Sequence, residues 1–168
     1  MYILIVNQLC SIKSGDWEVV KLENQNYNQL LLSNQLCFPL YVCSKEIVKR
    51  YKPFLDEVDL TYTQYITMMA LWEKNEMNVK DLGKKLFLDS GTLTPVLKTL
   101  ESKGVLTRER SKADERNLIV RVTEQGTALR DKCASIPSRM SCCMKLTEDE
   151  IKSLKSILDR FLSHICNE

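Results

Sequence analysis

The sequence has no Cys-X-X-Cys pair, a single histidine and no apolar run of bilayer-spanning length, and no secretory leader is expected. The missing Cys-X-X-Cys spacing and the odd total of seven cysteines argue against a disulfide scaffold and for a reducing cytosol. His164, Cys166, Cys142 and Cys143 lack the spaced pairs of a structural zinc site, so neither a metal nor another cofactor is expected. The opening Met1-Tyr2-Ile3-Leu4-Ile5-Val6 is apolar but lacks a basic flank, and it falls far short of the roughly 20 residues a membrane span takes. The expectation is a cytoplasmic, soluble protein with no membrane partner.

Strong net charge is missing too, at +2, but the charge that exists is unevenly placed. Residues 84 to 121 carry nine Lys or Arg against five Asp or Glu, which leaves the remainder slightly acidic. Local basic charge of this kind is a nucleic-acid footprint. With 44% hydrophobic and 27% charged residues, the chain suits one compact domain. Residues 1 to 29 show no sustained period and read as a poorly ordered N-terminal extension, ahead of a domain over 30 to 168. The echo of Asn34-Gln35-Leu36-Cys37 in Asn7-Gln8-Leu9-Cys10 is too short to be a repeat.

The pattern from about Leu30 to Tyr51 is helical, interrupted at Pro39 and closed at Lys52-Pro53. Because a proline is tolerated in a first helical turn, Pro39 can restart the helix with Cys37 or Phe38 near its N-cap, aiming the positive end of the helix dipole at the sulfur. A second helix starts around Thr61 to Thr63, carries Tyr62, Tyr65, Ile66, Met69 and Trp72 on a buried stripe, and ends near Lys74-Asn75. Asn78 caps a third helix with Val79, Leu82 and Leu86. Asp89-Ser90 opens a fourth with Leu93, Val96, Leu97 and Leu100, stopped by Gly104. Two short helices joined by a tight turn make a helix-turn-helix.

Residues 105–110 and 118–122 are β-prone runs around the polar loop Ser111 to Asn117, which reads as a hairpin wing with a basic tip. A further helix runs from Thr123-Glu124-Gln125 toward Ile136-Pro137. Thr147-Glu148-Asp149-Glu150 is a capping box for a last helix with Ile151, Leu154, Leu158, Phe161, Leu162 and Ile165 on one face. That face needs a partner surface, and a second subunit is a ready candidate. The fold class is mainly α with a small β-hairpin wing: a winged helix-turn-helix over about 61 to 122, with dimerisation helices at about 30–52 and 123–166.

This order of elements resembles the MarR family of dimeric winged-helix regulators, from about Leu30 to Ile165. Within it, Asn34-Gln35-Leu36-Cys37-Phe38, Leu60-Thr61-Tyr62, Leu88 to Pro95 and Asp114-Glu115-Arg116 look like the organic-hydroperoxide-sensing, OhrR-type branch. The resemblance implies that Cys37 is the peroxidatic cysteine and that Tyr51 and Tyr62 hydrogen-bond it across the dimer. It also places Ser90, Thr92 and Thr94 on the recognition helix, and Arg116 in the minor groove braced by Asp114. Cys142, five residues after Pro137, falls near the resolving cysteine of some relatives, with Cys143 an adjacent rival. The departure from the family pattern is Pro39 itself.

The chemistry is coherent on its own terms. A thiolate attacks a peroxide oxygen to give a sulfenic acid, which another thiol condenses with, either a second cysteine or a small cellular thiol. Phe38 and Tyr41 favour an organic hydroperoxide over hydrogen peroxide. Most free cysteines, however, are small buried hydrophobes, and Tyr51, Tyr62 and Tyr41 could be ordinary core aromatics. A symmetric dimer would place two recognition helices about one helical turn apart, so the DNA partner is a double-stranded pseudopalindromic operator. Lys84, Lys85, Lys98, Lys103, Arg108 and Arg110 would add phosphate contacts. The reading is a redox-sensing repressor released by Cys37 oxidation. The alternatives are a broader oxidative-stress or virulence regulator of the same family, or a repressor released by a small aromatic ligand. A thiol peroxidase would need a βαβ pattern that the sequence lacks, so an enzyme is not expected.

Overall fold

A computed structural model describes residues 27–110 and 117–165. Asp114, Arg116, Cys166 and nearly all of the expected extension lie outside the described residues. The described residues up to Leu40 and those from Tyr41 onward fall into two compact units. In the first, Tyr27–Leu30 and Leu32–Asn34 are short 3-10 turns with no buried residue.

Helix α1 spans Cys37–Asp56. It differs from the expected helix at both ends. The chain before Cys37 winds into the tighter turns, so Pro39 falls in the first turn of α1, where its missing N–H costs no helical bond. At the other end Pro53 sits inside the helix instead of closing it. Proline forgoes one i→i−4 bond, and burial of Leu55 at 2% exposure, with Phe54 packed against the core, offsets the loss.

Helix α2, Tyr62–Trp72, runs through the centre of the second unit. Thr61 caps it through a reciprocal box: its hydroxyl accepts the Gln64 N–H, and the Gln64 side chain accepts the Thr61 N–H. The expected stripe is displaced here. Met69 is exposed, whereas Thr67, Met68, Ala70 and Leu71 are buried, because α2 is covered on more than one side. The Thr67 hydroxyl satisfies itself on the Thr63 carbonyl.

Strand β1, Glu76–Asn78, then leads directly into α3, Val79–Leu86, whose first turn is capped by Asn78. Helix α4 is Ser90–Ser102, and strands β2, Leu106–Arg110, and β3, Leu118–Val122, form the hairpin. The sequence reading had only these two strands; β1 adds to the free edge of β3, giving the antiparallel order β1-β3-β2. Three residues are too few to show alternation in sequence, and β1 exists because Arg121 and Ile119 of β3 offer it a register.

The single helix expected from residue 123 toward Pro137 is two: α5, Glu124–Cys133, and α6, Ile136–Met144. Pro137 at the second position starts α6 in the manner of a first-turn proline. Helix α7, Glu148–Ile165, opens on the Thr147/Glu150 box as expected. It buries none of its residues, and Leu154, Ile157, Phe161, Leu162 and Ile165 are exposed.

Candidate nucleic-acid interface and thiol site

The turn between α3 and α4 is built by two residues. Phe87 takes a left-handed conformation, φ 53°, that stops α3. Asp89 then opens α4: its carboxylate accepts the Thr92 N–H at 2.8 Å and the Thr92 hydroxyl at 3.1 Å. These hydrogen bonds hold the Asp89 carboxyl below its ordinary range. Leu93, Leu97 and Leu100 anchor α4 in the core, and the opposite side presents Ser90, Thr92, Thr94 and Lys98 to solvent. Ser90, Thr94 and Lys98 share one outward helical surface, while the Thr92 hydroxyl is already donated to Asp89.

The basic residues divide into two groups. Lys85 is paired with Glu73, Lys103 with Asp59 at 2.9 Å, and Arg108 with Glu101 at 2.5 Å. The Arg108 guanidinium holds the Glu101 carboxyl low. These three support the fold and are less available to phosphate than the sequence suggested. Lys84 and Lys98 are exposed and join no ion pair among the described residues. Arg121 stands on the outer face of the wing between Glu76 at 2.8 Å and Glu109 at 3.5 Å, knitting three strands together.

Of the candidate redox residues, Cys37 is the first residue of α1 and its side chain is exposed, so within this chain it is not the buried hydrophobe a free cysteine usually is. Leu36, just before it, has no side-chain acceptor to cap the helix. Cys43 is exposed as well, Cys133 is buried, Cys142 is exposed and Cys143 is half-buried. Burial pushes the Cys133 thiol up, which keeps it protonated and inert. Both candidate resolving cysteines lie near the C-terminal end of α6.

Tyr51 and Tyr62 are brought together, with ring centroids 5.0 Å apart. Sequence reasoning placed Tyr65 only in the core, but it belongs to the same group: its ring is 6.0 Å from Tyr51 and it is 3% exposed. Burial raises the pKa of all three phenols, that of Tyr65 to about 12. All three are therefore neutral O–H donors at physiological pH. The signal was the Tyr62/Tyr65 spacing of three on one helix, and nothing in the sequence tied it to Tyr51.

Also missed was the contact that docks α6 on the end of α1. Arg139 makes a fork of two hydrogen bonds, 2.8 and 2.7 Å, to Glu57, and its guanidinium lies 4.4 Å from the Phe54 ring centroid. Arg50 reaches the Cys143 carbonyl at 3.5 Å. No described group of His, Cys, Asp and Glu is arranged to hold a metal, and no described helix is long and apolar enough to cross a membrane.

Residues 49–133, from the middle of α1 to the end of α5, match the family model "Transcriptional regulator SarA/Rot". The organic hydroperoxide resistance transcriptional regulator of Bacillus subtilis is 44% identical over 137 residues, 82% of this chain and 92% of that protein. The Staphylococcus aureus HTH-type transcriptional regulator SarZ is 47% identical over 132 residues, 79% and 89% of the two chains. Among solved structures, reduced AbfR bound to DNA, from Staphylococcus epidermidis, superposes with a TM-score of 0.70 at 35% identity, covering 85% of this chain and all of that one. These relatives are transcriptional regulators, not enzymes. The chain therefore belongs to the SarA/Rot family of MarR-type winged-helix DNA-binding transcriptional regulators, in the branch that contains the organic hydroperoxide regulators.

Proposed function

We propose that this protein is a dimeric repressor that holds its operator in the reduced state and releases it when an organic hydroperoxide oxidises Cys37. The observation that carries the reading is an exposed thiol at the first position of α1 in a chain that also presents a winged helix-turn-helix. The Cys37 thiolate attacks an oxygen of ROOH; the O–O bond breaks, sulfur is oxidised to Cys37–SOH, and the departing alkoxide takes a proton to become ROH. A second thiolate then attacks the sulfenic sulfur, an S–S bond forms, and hydroxide leaves as water. Cys142, exposed, and Cys143, half-buried, are the candidates for that thiol across the dimer, with a small cellular thiol as the one-cysteine route.

Tyr51 and Tyr62, neutral and paired, are fit to donate hydrogen bonds to the reacting sulfur of the other subunit. The exposed apolar faces of α1 and α7 are what supports dimerisation. On DNA, Ser90 and Thr94 are the groove-facing groups, Lys98 contacts phosphate, Thr92 shapes the helix start, and Arg116 with Asp114 is assigned to the wing tip. Interfaces of this kind switch between discrete packings, so a bond formed at Cys37 can move the two winged units out of register with their half-sites.

The test treats reduced protein with one equivalent of an organic hydroperoxide and maps every cysteine by non-reducing peptide mass spectrometry. Selective Cys37 oxidation is expected, trapped on Cys142 or Cys143 or on added small thiol. An unreacted Cys37 overturns the reading.

A further inference from the structure

Asn34 and Gln35 stand directly before the Leu36-Cys37 step, and their side chains fasten the preceding segment to itself. The Asn34 amide donates to the Asn28 carbonyl at 2.7 Å. The Gln35 amide donates to the Gln29 carbonyl at 2.5 Å and to the Leu31 carbonyl at 3.3 Å. Beyond the bonds inside the two turns themselves, the backbone adds Leu31 N–H to Asn28 O, Asn34 N–H to Leu31 O, and Gln35 N–H to Leu32 O, at 3.2, 2.9 and 3.1 Å. Neither 3-10 turn has a buried residue, so no core among the described residues holds them. Turns of three or four residues do not sustain themselves in water. Three side-chain hydrogen bonds from two adjacent residues make up for that.

We propose that Asn34 and Gln35 are positioning residues for Cys37, an amide clamp that keeps the chain entering α1 in one shape and so presents the thiol at the helix start. The proposal rests on the reading of Cys37 as the thiol that attacks the peroxide. The need for a clamp is visible in what surrounds it. Leu36 has no side-chain acceptor for the free N–H groups of the first turn, so α1 has no side-chain cap from the residue that precedes it. Gln35 is extended, φ −95° and ψ 118°, and only Leu36 separates it from the first helical residue. With the clamp closed, the direction in which Cys37 enters the helix is set from its N-terminal side. With it open, the first turn frays and the sulfur loses both its orientation and the dipole of the helix end.

The experiment uses full-length reduced protein carrying Asn34→Leu and Gln35→Met together, substitutions that keep shape and charge but remove the amide donors. Cumene hydroperoxide is the probe, and the oxidation rates of Cys37 and Cys43 are followed in the same sample by quantitative peptide mass spectrometry. Cys43 lies exposed on the same helix beyond the clamp and serves as the internal reference. The Cys37 rate should fall on the order of tenfold, as expected for a misplaced reacting group, with the Cys43 rate and the Tm unchanged. An unchanged ratio of the two rates, or a parallel change in both, overturns the proposal. The single variant Gln35→Met reads the same ratio should the double variant not fold. A wild-type protein whose Cys37 does not react would overturn the functional reading instead, a result distinct from a reactive wild type with an equally reactive variant.

Discussion

The rings of Tyr51 on α1 and Tyr62 on α2 lie 5.0 Å apart, tilted by 52°. Edge-tilted aromatic pairs of this kind hold each other's orientation, and burial keeps both phenols protonated beyond their ordinary range. Replacing either by phenylalanine leaves the ring pair and removes one donor. We expect Tyr51→Phe and Tyr62→Phe each to slow Cys37 oxidation by roughly tenfold, the size of one hydrogen bond to a charged group. Binding of the reduced protein to DNA should be unchanged, and stopped-flow oxidation beside a DNA titration checks both.

Tyr65 gives the protein an alkaline limit. Its folded pKa is about 12, raised chiefly by burial and then by Tyr51, Cys133 and Tyr62, whereas an unfolded tyrosine titrates near 10. A raised folded pKa contributes stability that is fully present below the unfolded value and is lost as pH rises through the folded one. Urea unfolding should therefore show no Tyr65-dependent change up to about pH 10 and a loss on the order of 2 kcal/mol between there and pH 12. Tyr65→Phe should reduce that slope.

Gly126 is where α5 meets the wing. A Cβ there would lie 2.0 Å from the Val105 carbonyl oxygen and 2.8 Å from Val122, and the Gly126 carbonyl accepts the Trp72 indole N–H at 2.9 Å. Backbone cannot move aside cheaply, so Gly126→Ala should destabilise by about 3 kcal/mol or more. Trp72→Phe, which loses the hydrogen bond and some packing, should cost about 1–2 kcal/mol. Thermal and urea unfolding of the two variants reads both values.

Lys98 and Lys103 sit on or just past the same helix but differ in employment. Lys98 is unpaired among the described residues, while Lys103 is held by Asp59. Lys98→Ala should weaken DNA binding about equally on all sequences and lower the slope of log K against log salt by about 1. Lys103→Ala should change that slope much less.

Helix α7 leaves Leu154, Ile157, Phe161, Leu162 and Ile165 exposed in one protomer. A charge placed there, Phe161→Asp, should shift the protein from dimer to monomer in sedimentation velocity and abolish tight DNA binding. The core of the second unit contains no residue of α7 and should keep its thermal transition.

Most of the helical frame was legible from side chains that act locally. Asn78, Asp89, Thr61 and Thr147 cap the helices whose starts they mark, and Gly104, φ 72°, ends the turn after α4. What was not legible depends on distant partners. Strand β1 is defined by β3, some forty residues away, and Pro53 is tolerated because Leu55 finds a core. The break between α5 and α6 was hidden because Pro137 signals equally the end of one helix and the start of another. At the site, the motif around Cys37 and the outward face of α4 could be read in sequence. The place of Tyr65 beside Tyr51, the engagement of Lys85, Lys103 and Arg108 in ion pairs, and the clamp of Asn34 and Gln35 are visible only in three dimensions.

In the proposed mechanism, oxidation of one sulfur releases DNA. The most direct measurement takes a duplex selected by the reduced protein from a random library and follows its release by fluorescence anisotropy as one equivalent of cumene hydroperoxide is added, for the wild type and for Cys37→Ser. The wild type should release the duplex, and Cys37→Ser should bind it with the same affinity and hold it throughout. Release from Cys37→Ser at the wild-type rate would contradict the claim.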